Sequence, residues 1–475
     1  MFECKVSINQ SILSALLADQ TPSLIGSIDQ GTSSSRFLLV TSTGDLLSSA
    51  QVEFRQHYPS SSPYNSESCE GWHEHNPFDI WDSVCTCVTK TVEELAKHDV
   101  NLSDGQWIKA IGITNQRETT VSWNSRTGNI YYNAIVWDDT RTALVAETII
   151  RENANTSGVD KPQDVLRSKT GLPVASYFAG TKVRWLVDNI AELQADLEST
   201  TERKNVRFGT IDVWLLYMLT GFRRSIAEDK MGIRLAHEGG VFKTDVSNGS
   251  RWLLMDLDTL DWDAALVTKV IGTNIEFPLE SALPKIVPSS DCTIGTIRGI
   301  GEKSYLKDVL ITATLGDQQA ALFGQACYQP GEAKCTYGTG LFLMMNTGTD
   351  KIPSTNGLLT TVAYQLGQCS TSSDTNDNKK PIFSLEGSVA FSGSTIQWLR
   401  DRLEIISSAS ETEALATSVP SSQGMYLVPA FSGLFAPHWQ ANARGCMVGL
   451  TASHSKAHIV RSALESSAYQ VSNKK

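Results

Sequence analysis

The sequence predicts an α/β protein made of two related α/β domains facing each other across a cleft. Three observations carry this expectation. Apolar strand-like runs alternate with segments of helical periodicity. A strand, a polar glycine turn and a second strand occur near residue 30 and return near residue 338. The chain has 475 residues, more than one hydrophobic core ordinarily serves, so two to three domains are expected.

Taken in order, residues 1–22 read as an N-terminal extension with one weak apolar run, Ile12 to Leu17. Residues 23–40 read as strand, turn, strand, with a third strand at Leu46 to Phe54. The Ser/Pro/Asn-rich stretch Pro59 to Glu70 is a loop. Asn76 then caps a helix that has Pro77 in its first position. Phe78, Trp81, Val84, Cys85, Val88, Val92 and Leu95 follow at helical spacing and predict a buried face. Ile108 to Asn115 is a buried strand, and Thr181 to Leu197 a helix. The first domain is expected over 23–283. The second, over 284–475, has a strand at Val309 to Leu315, a helix from Gly316 to Cys327 and a hairpin at 333–346. Gln365 to Lys380 is polar and predicts a surface insertion, and Ala457 to Val471 predicts a last amphipathic helix.

Composition excludes several functions. Apolar residues make up 41% and charged residues 19%, which is globular usage. Forty Lys and Arg against 51 Asp and Glu give a net charge of −11, which argues against nucleic acid and anionic membrane as partners. No run approaches the ~20 apolar residues of a membrane span. The N-terminus has neither a signal peptide's apolar core nor a transit peptide's Arg enrichment, so a cytoplasmic protein is expected. The nine cysteines are scattered, and the spacing of Cys85 and Cys87 fits neither zinc nor redox pairs, so they read as reduced, space-filling thiols. Asn101, Asn155 and Asn248 stand in glycosylation-like triplets that count as chance matches without a secretory signal.

Two hairpins with small polar tips suit a phosphate clamp. Successive backbone N–H groups in a tight turn form an anion nest. Thr32, Ser33, Ser34 and Thr339 add hydroxyls and Arg36 a charge. An ordinary hairpin turn explains either segment taken alone. Asp29 and Asp317 each stand where an apolar strand breaks into a glycine-containing turn. One suits Mg²⁺ and the other proton abstraction from a hydroxyl, with capping as the plain alternative for each. His73-Glu74-His75 invites a metal reading, but it lacks a third nearby ligand and reads better as the loop before a capped helix. Arg117-Glu118 by itself reads as a surface pair.

Read together, these segments resemble the FGGY carbohydrate kinase family, whose fold is the actin-like ATPase (ribonuclease H-like) one. The matching stretches are Ile28-Asp-Gln-Gly-Thr-Ser-Ser-Ser-Arg36, Gly71-Trp-His-Glu-His75, Gly112-Ile-Thr-Asn-Gln-Arg-Glu-Thr-Thr120, Asn133-Ala-Ile-Val-Trp137 and Tyr177-Phe-Ala-Gly-Thr-Lys182. The second half adds Gly316-Asp-Gln-Gln-Ala-Ala-Leu-Phe-Gly-Gln325, Thr336-Tyr-Gly-Thr-Gly340, Gln397-Trp-Leu-Arg-Asp401 and Pro429-Ala-Phe-Ser-Gly-Leu-Phe-Ala-Pro437. Asn-Gln-Arg-Glu-Thr-Thr points to the glycerol-phosphorylating branch.

The resemblance implies ATP-dependent phosphorylation of glycerol to sn-glycerol 3-phosphate, with Mg²⁺ accompanying ATP. Asp317 is then the general base and binds a glycerol hydroxyl. Arg117, Glu118, Tyr177 and Gln318 match the other hydroxyl contacts, and Trp137 and Phe342 the aromatic positions along the carbon backbone. Thr32, Ser33, Ser34, Arg36 and Thr339 match phosphate contacts, Gly393 and Gln397 nucleotide contacts, and Asp29 the Mg²⁺ position. A homo-oligomer is compatible with it.

Departures from the family pattern set further expectations. Ala436-Pro-His438-Trp439-Gln440 lacks a carboxylate, and Thr244-Asp-Val-Ser-Asn-Gly-Ser-Arg-Trp252 differs at several positions. Phe222 to Glu238 reads as an insertion. The family pattern runs on past residue 471 with a strand, a Gly-Gly loop that holds adenine and further helices. Only four residues follow Val471, which implies an incomplete second domain and little or no activity. The alternatives are a kinase for another polyol or sugar, and a non-catalytic polyol-binding or partner-binding protein.

Overall fold

The structure, a computed structural model, describes residues 3–18, 23–61, 69–100, 102, 107–154, 161–224, 235–237, 239–300, 304–367 and 380–472. Most of the expected insertions at 222–238 and 365–380, together with Asn101 and Asn155, lie outside these. The chain forms two compact units. The first comprises Met1–Gly158, Ser176–Ala320 and Tyr364–Pro381, and the second Val159–Ala175, Ala321–Ala363 and Ile382–Lys475.

A seven-stranded sheet organises the first unit. Its strands, from one edge, are Lys5–Ile8, Leu46–Glu53, Ser34–Thr41, Leu24–Gln30, Ile108–Asn115, Leu310–Gly316 and Ser290–Thr296. Leu24–Gln30, Ile108–Asn115 and Leu310–Gly316 run parallel, and Asn115 stands in register with both Gln30 and Gly316. Three neighbouring strands therefore stop at one level, with their carboxyl ends side by side.

This topology corrects the linear boundary expected at 283/284. The strands Ser290–Thr296 and Leu310–Gly316 beyond it belong to the first unit's sheet, because Leu310–Gly316 finds its ladder partner in Ile108–Asn115. Asp317, expected in the second domain, opens the helix Asp317–Gly324 directly after that strand. The N-terminal extension is also more than a tail. Lys5–Ile8 pairs with the strand Leu46–Glu53, and the helix Gln10–Ala18 buries Leu13 and Leu16.

Local chemistry sets the helices. Asn76 accepts a hydrogen bond from the Phe78 N–H at 2.9 Å, and Pro77 opens the helix Pro77–Ala96. Its buried face holds Trp81, Val84, Cys87, Val88, Val92 and Leu95, so Cys87 takes the place expected for Cys85. The single helix expected over 181–197 is two, Ala179–Asn189 and Ala191–Glu198. Ile190 between them is extended and buried, and the break turns Leu193 and Leu197 inward. Helix Ile211–Gly221 is buried at every residue, as its apolar circumference demands. Its Trp214 meets Trp123 edge to face at 5.4 Å and donates to the Pro77 carbonyl at 3.0 Å.

The second unit centres on a four-stranded sheet in the order Ala333–Tyr337, Leu341–Gly348, Ile382–Val389, Leu359–Tyr364. Helices Gly393–Asp401, Glu411–Thr417 and Lys456–Ser472 accompany it, with Leu399, Ile406, Leu427, Val460 and Ala463 as their own core. Leu464, expected on the buried side of the last helix, is exposed. The 436–440 segment is packed despite its missing carboxylate. Trp439 stacks on Phe435 and donates to the Gly357 carbonyl at 2.7 Å.

Asp212, buried at the start of helix Ile211–Gly221, accepts from Thr210 Oγ1 at 2.5 Å and Thr244 Oγ1 at 2.6 Å. Burial, with the charge of Asp245 adding to it, pushes this carboxyl up to about 7 against the pull of its hydroxyl donors. The folded state thus holds the proton more tightly than the unfolded chain. This group's contribution to stability is full below the unfolded carboxyl range and falls as pH rises to about 7. Asp212→Asn is expected to lose that decline, so its melting temperature relative to the parent rises from pH 4 to pH 7. A constant difference across that range would contradict the assignment.

Candidate functional site

The carboxyl ends of the three parallel strands carry most of the sequence-predicted residues. In parallel sheets of this kind the loops leaving the strand ends are the usual ligand surface. Asp29 and the turn Gly31 to Ser34 leave the first strand, Gln116 to Thr119 the second, and Asp317 and Gln318 the third.

The first turn is tied by the Gly31 N–H donating to the Ser34 carbonyl at 2.9 Å. Ser33 and Arg36 are exposed, and Ser34 Oγ accepts from Gln51 Nε2 at 3.1 Å. Asp29 pairs with Arg36 at 3.3 Å. Partial burial raises the Asp29 carboxyl, Arg36 pulls it back and the like charge of Asp317 raises it further. Trp137 Nε1 donates to Thr32 Oγ1 at 2.9 Å and so fixes the tip of this hairpin.

The second turn is strained. Glu118 has φ +58°, and the Thr119 N–H donates back to the Arg117 carbonyl at 2.7 Å, which closes a γ-turn. The turn throws Arg117 and Glu118 in different directions. Both are buried, and each has its own partner, which corrects the reading of this dipeptide as a surface pair. Arg117 Nε lies 3.3 Å from Asp317 Oδ1, Nη1 donates to Gln319 Oε1 at 3.2 Å and Nη2 to Tyr177 OH at 3.4 Å. Tyr177 meets Trp137 edge to face at 5.9 Å. The structure therefore links Thr32, Trp137, Tyr177, Arg117 and Asp317 in one chain of contacts, with Gln318 buried beside Asp317. Gly316 must be glycine here, since a Cβ would stand 2.6 Å from Arg117 Cδ.

Glu118 meets a partner that sequence reasoning missed. Arg251, fully buried, donates from Nε to Glu118 Oε1 at 2.5 Å and lies 5.5 Å from the Tyr177 and Phe178 ring centres. Lys182 was missed too. Its ammonium donates to the Ser176 and Tyr177 carbonyls, each at 2.8 Å, and burial lowers it to about 8 although Asp139, Glu118 and Asp138 pull it upward. Arg251 lies in the stretch 244–252 and Lys182 in 177–182, and nothing in a linear sequence says which basic side chain turns inward.

His73 and His75 serve packing. Both bind Gln56 Oε1, at 3.0 and 2.7 Å, and His73 Nδ1 bonds Asp138 at 2.7 Å. Among the described residues no group of three or more His, Cys, Asp or Glu side chains is placed to hold a metal ion. Asn248, fully buried, is no glycosylation site.

In the second unit, Thr339 is exposed in the turn Gly338 to Gly340, and its carbonyl accepts from the N–H groups of Ser392 and Ser394 at 3.0 and 3.1 Å. Gly393, which opens helix Gly393–Asp401, donates to the Gly338 carbonyl at 2.9 Å and has room only for glycine, since a Cβ would meet that oxygen at 2.5 Å. Gln397 lies exposed one turn along the same helix, and Phe342 is buried in the strand Leu341–Gly348.

Comparison with known proteins agrees in sequence and in fold. The model of the FGGY family of carbohydrate kinases, N-terminal domain, matches residues 24–324, and that of the C-terminal domain residues 333–473. The chain is 46% identical over 448 residues to a glycerol kinase of Brucella anthropi, covering 94% of this chain and 77% of that one. It is 42% identical to a glycerol kinase of Mycobacterium tuberculosis, covering 98% and 78%. Among solved structures, the ADP complex of Plasmodium falciparum glycerol kinase superposes with a TM-score of 0.70 at 33% identity, covering 95% and 78%. A xylulose kinase of Lactobacillus acidophilus shares the fold alone, with a TM-score of 0.67 at 19% identity over 95% of this chain and 77% of that one.

Removing one partner of a buried ion pair strands the other charge, at a cost of about 3–5 kcal/mol. Arg251→Met is expected to lower stability by about that amount in urea unfolding. Adding Glu118→Gln should recover part of the loss, and a double variant less stable than the single would count against the pair.

Proposed function

The chain belongs to the FGGY family of carbohydrate kinases, and from that premise we infer that it transfers the γ-phosphoryl group of ATP to glycerol, giving sn-glycerol 3-phosphate. The observation that carries the residue roles is the convergence of Asp317, Arg117 and Tyr177, with 3.3 Å from Asp317 to Arg117 and 3.4 Å from Arg117 to Tyr177.

A small triol needs a polar partner for each hydroxyl, because an unpaired buried group costs about 1–3 kcal/mol. Arg117 and Gln318 donate and Glu118 accepts, while Tyr177 can do either and the Trp137 ring lies against the carbon chain. Asp317 accepts the proton of the attacking hydroxyl as its oxygen bonds to the γ-phosphorus and the bond to the ADP oxygen breaks. The protein's part is orientation and charge, so fixed side chains matter more than covalent chemistry.

The phosphate contacts are assigned to Thr32, Ser33, Ser34, Arg36 and Thr339, and the nucleotide contacts to Gly393 and Gln397. Phe342 is assigned an aromatic contact. Asp29 is assigned to Mg²⁺. The fit is supported by a partly exposed carboxylate, 28% accessible, that feels the like charge of Asp317, a repulsion that a divalent cation relieves. Mg²⁺ binds through one or two carboxylates, water and substrate phosphate, which suits so sparse a donor set, and when bound it neutralises phosphate oxygens.

We assign the protein to the cytoplasm. The described cysteines are free thiols, as in a reducing compartment, and no helix among the described residues is long and apolar enough to cross a membrane.

In coupled ADP-release assays glycerol is expected to be the preferred acceptor, and Asp317→Asn to lower kcat about 10³-fold while glycerol still binds by calorimetry. Faster turnover of xylulose or gluconate, or an Asp317→Asn variant within tenfold of the parent, would overturn the reading. Chelation with EDTA should abolish turnover until Mg²⁺ is restored, and Asp29→Asn should raise the Mg²⁺ concentration needed for half-maximal rate.

A further inference from the structure

Building on the proposed polyol site, we propose that the segment from Asp245 to Trp252 is a positioning clamp. It sets the spacing of Arg117 and Glu118 against Asp317 and ties both to Tyr177. The parallel ladder that holds the two strands ends at the paired residues Asn115 and Gly316. The reacting side chains stand one to three residues beyond it, where sheet twist makes neighbouring chains diverge. Something outside the ladder must hold them.

Both ladder ends bind the same short helix, Val246–Gly249. The Gly316 N–H donates to Ser247 Oγ at 3.0 Å. Asn115 and Asn248 exchange a reciprocal pair of side-chain amide hydrogen bonds, each 3.1 Å. The helix is itself anchored by the buried Asp245 carboxylate. That group accepts from the Ser247 and Asn248 N–H groups, each at 3.0 Å, from Asn248 Nδ2 at 2.9 Å and from Ser289 Oγ at 2.6 Å. Ser289 closes the circuit, because its carbonyl accepts from the N–H of Thr314, two residues before Gly316 in the same strand.

The segment's far end holds the rest of the site. Arg251 carries Glu118 at 2.5 Å and lies against the Tyr177 ring. The Arg251 and Trp252 carbonyls accept from the N–H groups of Ala179 and Gly180, at 3.3 and 2.9 Å, just after Tyr177. Gly180 is required by this approach, since a Cβ there would stand 2.3 Å from the Trp252 oxygen. The polar groups involved are almost wholly removed from water, so each bond fixes geometry as well as adding energy. Displacement of a reacting group by about 1 Å costs on the order of 10²-fold in rate, which gives such a clamp its value.

Ser247→Ala removes the acceptor for the Gly316 N–H and little volume. Ser247→Thr keeps the hydroxyl. In Ser247→Ala the glycerol KM is expected to rise at least fivefold and kcat/KM for glycerol to fall about tenfold, with the ATP KM within twofold of the parent. Ser247→Thr should restore parent values. Asn115→Ala and Asn248→Ala should each act in the same direction, and the double variant should fall short of the sum of the two single effects, since the shared amide pair is lost already in either single. A substitution that only reduced the folded fraction would lower kcat and leave both KM values alone. That outcome, or a glycerol KM within twofold of the parent in Ser247→Ala, would overturn the clamp. Backbone amide exchange gives a readout independent of turnover. Exchange at 115–118 and 316–318 should be faster in Ser247→Ala than in Ser247→Thr. If the parent turned over no glycerol, the proposed function would fall, and the exchange comparison would still decide: equal exchange in the two variants would overturn the clamp.

Discussion

The register of three parallel strands is the constraint on which the site depends. Gln30, Asn115 and Gly316 stand level in neighbouring strands, so the residues that follow emerge together. None of the loops could supply this alone. Asp29 and Arg117 come from distant parts of the chain, and Asp317 lies some 200 residues beyond Arg117. A slip of one residue in any strand would turn its side chains to the opposite face. The buried alternation of Ile28, Ile111 and Ile113 sets that register, and the hydrophobic core thereby fixes the polar site.

The site also concentrates unfavourable features that the surroundings must offset. Glu118 is in a left-handed conformation rare for a residue with a side chain. Arg117, Glu118, Lys182 and Arg251 are all buried charges. Well-packed apolar residues would stabilise the fold at least as well as such ion pairs. Their merit is orientation. A guanidinium fork donates to a carboxylate in few geometries, so Arg251 fixes Glu118, and Arg117 fixes its own angle to Asp317 and Tyr177. The same logic holds at Arg141, which lies 3.9 Å from the Trp72 ring centre while binding Glu74 and Asp139.

Much of this was legible in the sequence because the signals are local. Asn76 and Pro77 cap the helix that follows them through their own chemistry, and the apolar runs at 24–30 and 108–115 are strands by pattern alone. Asp29 and Asp317 stood out by their places at strand ends, and Arg117, Trp137 and Tyr177 through family resemblance, which is itself a record of tertiary contacts. The failures were equally specific. Thr181 to Leu197 carries an unbroken helical pattern, yet packing inserts an extended Ile190. The chain reads as starting a new half near Pro284, yet the strands Ser290–Thr296 and Leu310–Gly316 complete the first unit's sheet. Arg251 and Asn248 looked like incidental members of a variable stretch, and Asn248 even like a glycosylation triplet.

The sequence by itself determined most of the secondary structure, the net negative charge and the chemical inventory, because propensity, capping and periodicity act over a few residues. Only the tertiary structure decided which charges are buried and which partners they take. Arg117 turned away from its neighbour Glu118 toward Asp317, and Glu118 toward Arg251, because a γ-turn separates two side chains adjacent in sequence while strand pairing brings remote ones together.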